Sequence, residues 1–420
     1  MAVSTFRSLR VRNYRIWFCG QLVSVCGSWM QTVAQGWLVL RLSHDSGFAV
    51  GLVTALQFLP MLLFGAWGGV IADRFDKRRT LVAAQSALAV IAAVQAAVTL
   101  SGAVRLWMVY ALVVVQGFAN LVDIPVRQSF PNEMVSGEDL SNALSLNSAL
   151  FNSARIIGPA VAGPLIVTAG VGWCFFVNSV SYLAVLASLL LMRRAELYPT
   201  TKAKRGRRQI REGLAYVRRT PALGSVLLLS AVVGTLAINF NVVLPLLAKK
   251  TFHGTARTYS AMTVAMGVGA LIGALTTATR KRATPEFLCW SAVMMGLAMC
   301  AAAWAPTLHV ALVLIAFVGL CQVAFVSTGQ AILQLASAEE MRGRVVALRA
   351  ITVMGSTPIG GPLIGWISGI NARWGLVVGG VASLLGAGGY GMFLRQRKRA
   401  FNSGVAARIA SPVSEAIRSS

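Results

Sequence analysis

Stretches of about twenty apolar residues, each long enough to cross a hydrocarbon core as a helix, follow one another through almost the whole chain. They fall near 16–40, 49–72, 80–101, 106–128, 142–169 and 171–192, and after a polar break near 222–247, 258–279, 285–305, 308–333, 345–370 and 373–394. In lipid, backbone N–H and C=O groups must be satisfied within the segment, so runs of this length form helices. The expected fold class is all-α integral membrane, with twelve transmembrane helices in two six-helix bundles. Hydrophobic residues make up 56% of the chain and charged residues 12%, about half the charged share of a soluble globular protein. The formal net charge of +25 comes from short basic blocks between apolar runs. Such blocks anchor loops at anionic headgroups, so the lipid bilayer is the expected partner and nucleic acid is not.

Placing the amino terminus inside leaves about thirty Lys and Arg residues on the cytoplasmic side and about six outside, so both termini are expected in the cytoplasm. The basic first fifteen residues lead into an apolar run without a small-residue cleavage site, which reads as a retained first helix. Residues 1–193 form the expected first bundle and 221–395 the second. Between them, 194–220 is a basic cytoplasmic linker whose Ile210, Leu214 and Val217 share one helical face, as in an amphipathic helix lying on the inner leaflet. Residues 396–420 are expected to be a disordered cytoplasmic tail. A shift of about two hundred residues relates the halves: Ser136-Gly-Glu-Asp139 returns as Ser337-Ala-Glu-Glu340, Gly158-Pro159 as Gly361-Pro362, and Gln128 as Gln330. This is a parallel repeat about a pseudo-two-fold axis along the membrane normal.

The six cysteines form no Cys-x-x-Cys pair, and His44, His253 and His309 lie far apart in loops or at span ends. No metal site, cofactor or enzyme motif is expected. Ionisable groups inside the spans are sparse. Asp123 is the one acid within an apolar run, one helical turn before Arg127 and next to the helix-bending Pro125; counted from Pro131 it lies about 12 Å from the cytoplasmic end. Arg155 lies near the midplane of the fifth span, where a charge is costly enough to demand a partner or a task. It reads as an anion anchor or charge partner, or as a structural arginine. Arg349 is expected to snorkel to the inner surface. Gln31, Gln35, Gln57, Asn120, Asn239, Asn241 and Gln322 are candidates to line a central cavity with Arg155; each also reads as an interhelical hydrogen bond.

The link between spans 2 and 3, Gly69-Val-Ile-Ala-Asp73-Arg74-Phe-Asp76-Lys77-Arg78, resembles the loop signature of the major facilitator superfamily, with Asp76 in the place of a glycine. Gly158-Pro159-Ala-Val-Ala162-Gly163 resembles the superfamily's antiporter motif with Ala162 replacing one glycine, and Gly361 and Gly365 form a like seam on span 11. Val113 stands where the family's fourth helix has an arginine. Phe6-Arg-x-Leu-Arg10, Asn13-Tyr-Arg-x-Trp17, Asp123-x-Pro-x-Arg-Gln128 and Met341-Arg-Gly-Arg-Val345 resemble the enterobactin-exporter-like, or transmembrane secretion effector, branch. The resemblance implies a monomeric secondary transporter of the bacterial inner membrane. Its implied task is export of a small organic molecule, siderophore-like or drug-like, by proton antiport. An importer or a lysophospholipid flippase of the same fold, and a non-transporting scaffold or sensor, are the alternatives. It also implies a conformational latch of Asp73, Arg74, Lys77, Arg78, Asp123 and Arg127 that closes on the start of span 11 near Arg344. Asp123 has a second reading, as proton carrier.

Overall fold

The computed structural model describes the backbone of residues 6–135, 137–198, 209–280, 282–354 and 356–418, and within them the side chains other than those at 66, 68–70, 72, 73, 138, 209–211, 339, 351, 353, 354, 397, 398 and 400–418. Among the described residues there are helices and no strands. The first half comprises α1 (Arg12–Leu42), α2 (Gly47–Arg74), α3 (Lys77–Leu100), α4 (Leu106–Ser129), α5 (Glu138–Thr168) and α6 (Val171–Leu191). A linker helix, Gln209–Arg219, precedes the second half: α7 (Pro221–Leu236), α8 (Phe240–Leu246), α9 (Ala256–Ala278), α10 (Pro285–Ala303), α11 (Leu308–Ala336), α12 (Glu339–Met354), α13 (Thr357–Ile370) and α14 (Ala372–Arg418).

Ten segments are long and apolar enough to cross a membrane by length and composition. To these the architecture adds α1, whose apolar character is diluted by Gln21, Gln31 and Gln35, and the α12–α13 pair. Twelve crossings are consistent with that set. Two expected continuous spans are broken. The seventh unwinds at Ala237–Asn239 between α7 and α8 and ends in a π-helical turn, Leu247–Thr251. The eleventh is divided between α12 and α13 around position 355. The last helix continues to Arg418, through the segment expected to be a disordered tail. Helix starts carry their own caps: Ser46 accepts from the Ala49 amide, Thr255 from Arg257, Thr284 from Phe287 and Thr307 from Val310. Asp76, in the place of the signature glycine, caps α3 by accepting from the Arg79 amide at 2.7 Å.

In the first half α1 packs on α5 and α6, α3 on α4 and α6, and α2 on α4; in the second α9 packs on α11, α10 on α11 and α14, and α7 on α14. The halves meet along α2–α13 and α5–α9. One end of the molecule, here the linker face, gathers Ser8 with Asn142 (3.0 Å), Asn13 with the Arg193 carbonyl (3.0 Å) and the Tyr198 amide with the Glu133 carbonyl (2.8 Å). The linker helix docks there on the second half, burying Val217, and the Tyr216 hydroxyl accepts from the Ala338 amide at 3.2 Å. One apolar core runs through the second half from Val217 and Leu223 at the linker face to the opposite, far face, where it continues into the first half and joins Met30, Val33, Trp37 and Val50 to Tyr259, Met262 and Val243. At the linker face the first half keeps a separate core around Tyr14, Trp17, Phe130 and Leu189. The halves are therefore fused at the far face and individually packed at the linker face.

Candidate functional site

Ser141, Ser145, Ser148, Asn152, Arg155, Pro159 and Gly163 recur every three or four residues along α5 and so share one face. That face meets two different environments. Toward the far face it is sealed: a Cβ on Gly163 would stand 2.6 Å from Ser260 Cβ on α9, and one on Gly267 of α9 would stand 3.2 Å from the Arg155 carbonyl oxygen. Toward the linker face it is open: Ser141, Leu144, Ser145 and Ser148 are exposed and line a recess with Gly137 and Leu140. Arg155 stands at the apex, between the recess, which it does not itself line, and the sealed part of the interface.

Arg155 Nη2 donates to Gln322 Oε1 at 3.4 Å, from α5 of one half to α11 of the other. Its guanidinium carbon lies 5.5 Å from the centre of the Trp29 ring on α1, the geometry of a cation over an aromatic face. No carboxylate pairs with Arg155 among the described residues. Trp29 and Gln322, with Arg155, thus bring three helices to one point. Arg349 differs. Instead of reaching the inner surface it is buried in the second half, where it donates to Gln330 Oε1 and to the Val326 carbonyl of α11.

The glycine seams close the far side. A Cβ on Gly51 would overlap the Gly361 carbonyl oxygen, one on Gly47 the Gly365 carbonyl oxygen, and one on Gly365 the Gly47 carbonyl oxygen. Helices α2 and α13 thus touch backbone to backbone, across the halves. Gly158 packs within its own half, its missing Cβ 2.5 Å from the Cys26 carbonyl oxygen of α1; Pro159 is buried beside it.

Other candidate cavity residues divide. Gln31 turns into the first bundle: it donates to Gln95 (3.4 Å) and Gln116 (3.5 Å) and accepts from Asn178. Gln35 is buried; Gln57 and Asn120 are partly exposed. Asn239 sits in the break between α7 and α8, donates to the Thr235 carbonyl at 2.7 Å and leaves its buried Oδ1 without a partner. Asn241, two residues on, is exposed.

Of the expected latch, Asp123 and Arg127 come together. Asp123, 2% exposed, accepts from Gln85 Nε2 at 2.7 Å and pairs with Arg127 Nε at 3.0 Å. The Arg127 guanidinium lies 5.0 Å from the Phe151 ring centre on α5. Lys77 reaches Glu133 at 3.1 Å, an acid the sequence reading passes over because it lies in a short turn after α4. Arg78 donates to the carbonyls of Leu189 and Leu190 at the end of α6. Arg74 is exposed at the end of α2, and the Asp73 side chain lies outside the described residues. Arg344 pairs with Glu212 of the linker helix at 3.1 Å.

A family model described as transmembrane secretion effector matches residues 3–415. The staphyloferrin A transporter of Staphylococcus aureus is 23% identical over 263 residues, which cover 62% of this chain and 66% of that relative, just under two thirds of its length. Macrolide efflux protein A of Streptococcus pyogenes is 23% identical over 363 residues, 84% of this chain and 89% of the relative. The multidrug efflux pump Tap of Mycobacterium bovis is 26% identical over 358 residues, 81% and 84%. Among solved structures, a bacterial homologue of the lysosomal transporter spinster, inward-facing and unoccupied, superposes with a TM-score of 0.71 at 15% identity, covering 90% of this chain and 95% of that one. A D-xylose–proton symporter gives 0.72 at 15%, covering 89% and 95%; at such identities the likeness shows the fold. The chain is a multi-pass membrane protein of the transmembrane secretion effector family, a branch of the major facilitator superfamily whose members are transporters and not enzymes.

Proposed function

We propose that this transporter exports a small organic molecule, siderophore-like or drug-like, across a bacterial cytoplasmic membrane by alternating access coupled to proton antiport. The observation that carries the reading is the single face of α5, sealed against α9 on one side of Arg155 and open on the other. An interface that can close at either end around a fixed midpoint is what alternating access requires. Three relatives, a siderophore transporter and two efflux proteins, favour export. The excess of Lys and Arg at the linker face favours a cytoplasmic location for it and for both termini. On this reading 1–193 and 221–395 move as two bundles of a monomer joined by the 194–220 linker, and the form described here opens inward.

Asp123, Arg127, Lys77 and Arg78, with Asp73 and Arg74, form the latch that holds the linker face shut in the opposite state. Asp123→Asn then shifts the resting population toward the inward-open form and leaves substrate affinity within a few-fold. Combining it with Asp73→Asn adds little. Loss of proton-driven transport with intact downhill exchange would instead make Asp123 the proton carrier.

The transport reading is tested in proteoliposomes by substrate-dependent proton movement, comparing the native chain with Gly51→Val. The substitution wedges α2 from α13 at the far face, so a Ser148→Cys reporter in the open recess should be alkylated at least several-fold more slowly. Unchanged reporter accessibility, and no proton movement with siderophore, macrolide or other drug panels, would leave a scaffold as the better account.

A further inference from the structure

Resting on the transporter reading, we propose that the apex site takes an organic anion, a carboxylate carried on a flat aromatic body, with Arg155 as its anchor. The chain itself supplies the contrast that isolates Arg155. Both Arg155 and Arg349 are guanidinium groups inside the bundle, where an unpaired charge is costly. Arg349 places two donors locally, on an amide oxygen and a backbone carbonyl of the neighbouring helix in its own half, and leaves only its buried Nε without a partner. Arg155 has five N–H donors to place. It places one on Gln322, at the long end of the hydrogen-bond range. A guanidinium left with donors to spare above an open recess, with no carboxylate paired to it among the described residues, is a fork awaiting two acceptor oxygens.

The surroundings narrow the ligand. The Trp29 ring presents a flat apolar wall 5.5 Å from the guanidinium carbon, suited to stacking a planar group beside the ion pair. Leading up to it, Ser145 Oγ donates to the Ser141 carbonyl at 2.9 Å, Ser148 Oγ to the Leu144 carbonyl at 3.0 Å, and Asn152 Nδ2 to the Ser148 carbonyl at 2.9 Å. With their hydroxyl protons spent on the helix, the serines turn oxygen lone pairs to the cleft. That track stays wet and offers an anion little to hold it below the apex. Gln322, on the opposite half, is the hydrogen-bond partner that ties the Arg155 side chain across the interface between the halves. Binding and the state of the interface are therefore linked at a single side chain.

Three probes with one aromatic body separate the chemistry: 2-naphthoate, its neutral amide 2-naphthamide, and the cation 2-naphthylmethylammonium. Isothermal titration of the full chain in nanodiscs should show naphthoate bound at least tenfold more tightly than naphthamide, and the cation weakest. The preference should stay flat between about pH 6 and 8, because the carboxylate remains ionised and arginine does not titrate there. Arg155→Gln should remove the preference, Arg155→Lys should keep part of it, and Trp29→Leu should weaken naphthoate and naphthamide alike. Arg349→Lys should leave the preference in place. The proposal is overturned if no probe binds the native chain, if naphthoate and naphthamide bind equally, or if monodisperse Arg155→Gln retains the difference. Substrate-driven proton movement with a neutral or cationic compound would leave the transporter reading standing and remove only the anion assignment.

Discussion

Helices α1, α3, α4 and α6 of the first half meet through Gln31, Gln95, Gln116 and Asn178, whereas α9 and α11 of the second meet at Gly269, Gly273 and Gly319. The glycines divide in part the same way, although Gly117 and Gly158 of the first half also meet backbone carbonyls, those of Gln57 and Cys26. Gly27 of α1 leaves room for the side chains of Asn178 and Ser181, and Gly20 for the Ser188 side chain and the Ala184 carbonyl. In the second half the absent Cβ atoms of Gly269, Gly273 and Gly319 would fall on the backbone carbonyls of Ala316, Leu320 and Met266. Two buried hydroxyls there, those of Ser291 and Thr263, bond to their own helix, while that of Ser383 reaches the Ala292 carbonyl of α10. The contrast has a physical root. Lipid tails are as apolar as leucine, so membrane helices associate through interhelical hydrogen bonds or close backbone approach. This chain uses mainly the first device in one half and the second in the other.

Backbone approach is the less forgiving device, and the largest expected effect follows from it. Gly269→Ala places a methyl group on the Ala316 carbonyl oxygen, which has no rotamer to move into. Monodisperse protein should not be recoverable on size exclusion. Stable, active Gly269→Ala protein would break the comparison at its firmer end.

A middle-sized effect is expected in the first half. Asn178→Ala deprives Gln31 Oε1 of its donor, while Ser181 Oγ keeps the Asn178 backbone carbonyl as acceptor; the lost interhelical bond costs about 1–2 kcal/mol in lipid. A matched Ser291→Ala in the second half should change the thermal midpoint little, because its hydroxyl bonds only the Leu288 carbonyl one turn away. Equal losses from the two substitutions would show that the halves do not differ in how polar side chains stabilise them.

The helices are legible from the length of their apolar runs, and Arg155 from the cost of a charge in such a run. Partners are not legible where they depend on which neighbour a helix face meets. Gln31 and Gln35 share a face by spacing, but spacing does not say that Gln31 turns toward Asn178 and away from the cleft. The same blindness applies to Gly361 and Gly365. Their seam is visible in the sequence, and its match to Gly51 and Gly47 in the other half is not. The expectation for Arg349 rests on its distance from the membrane surface, and Gln330 and the Val326 carbonyl offer it bonds closer at hand. Glu133 carries no signal of its own, because its lysine partner is fixed by the packing of the α4–α5 corner against α3.

The smallest expected effect concerns the linker helix, which sharpens the comparison by belonging to one half only. Glu212 and Arg344 pair at 3.1 Å with side chains 48% and 29% exposed, so Glu212→Gln should cost within about 1 kcal/mol and less at high salt. What holds the helix is Val217, buried in the core, with Tyr216 packed against it and Gly213, whose missing Cβ would lie 3.2 Å from Arg344 Cβ and 3.3 Å from Leu348 Cδ1. The linker helix and α12 are therefore packed as one unit, and on the transport reading proposed above that unit travels with the second half. A double variant, Glu212→Cys with Arg344→Cys, joined by a short bifunctional reagent, should leave transport rates within about two-fold of the unlinked protein, since such a cross-link spans no moving surface. A cross-link of the same length between linker and first half should stop transport. If the cross-link between linker helix and α12 itself arrests the cycle, the two part during transport, and the boundary between the moving bodies runs along α12 instead of through the cleft beside Arg155.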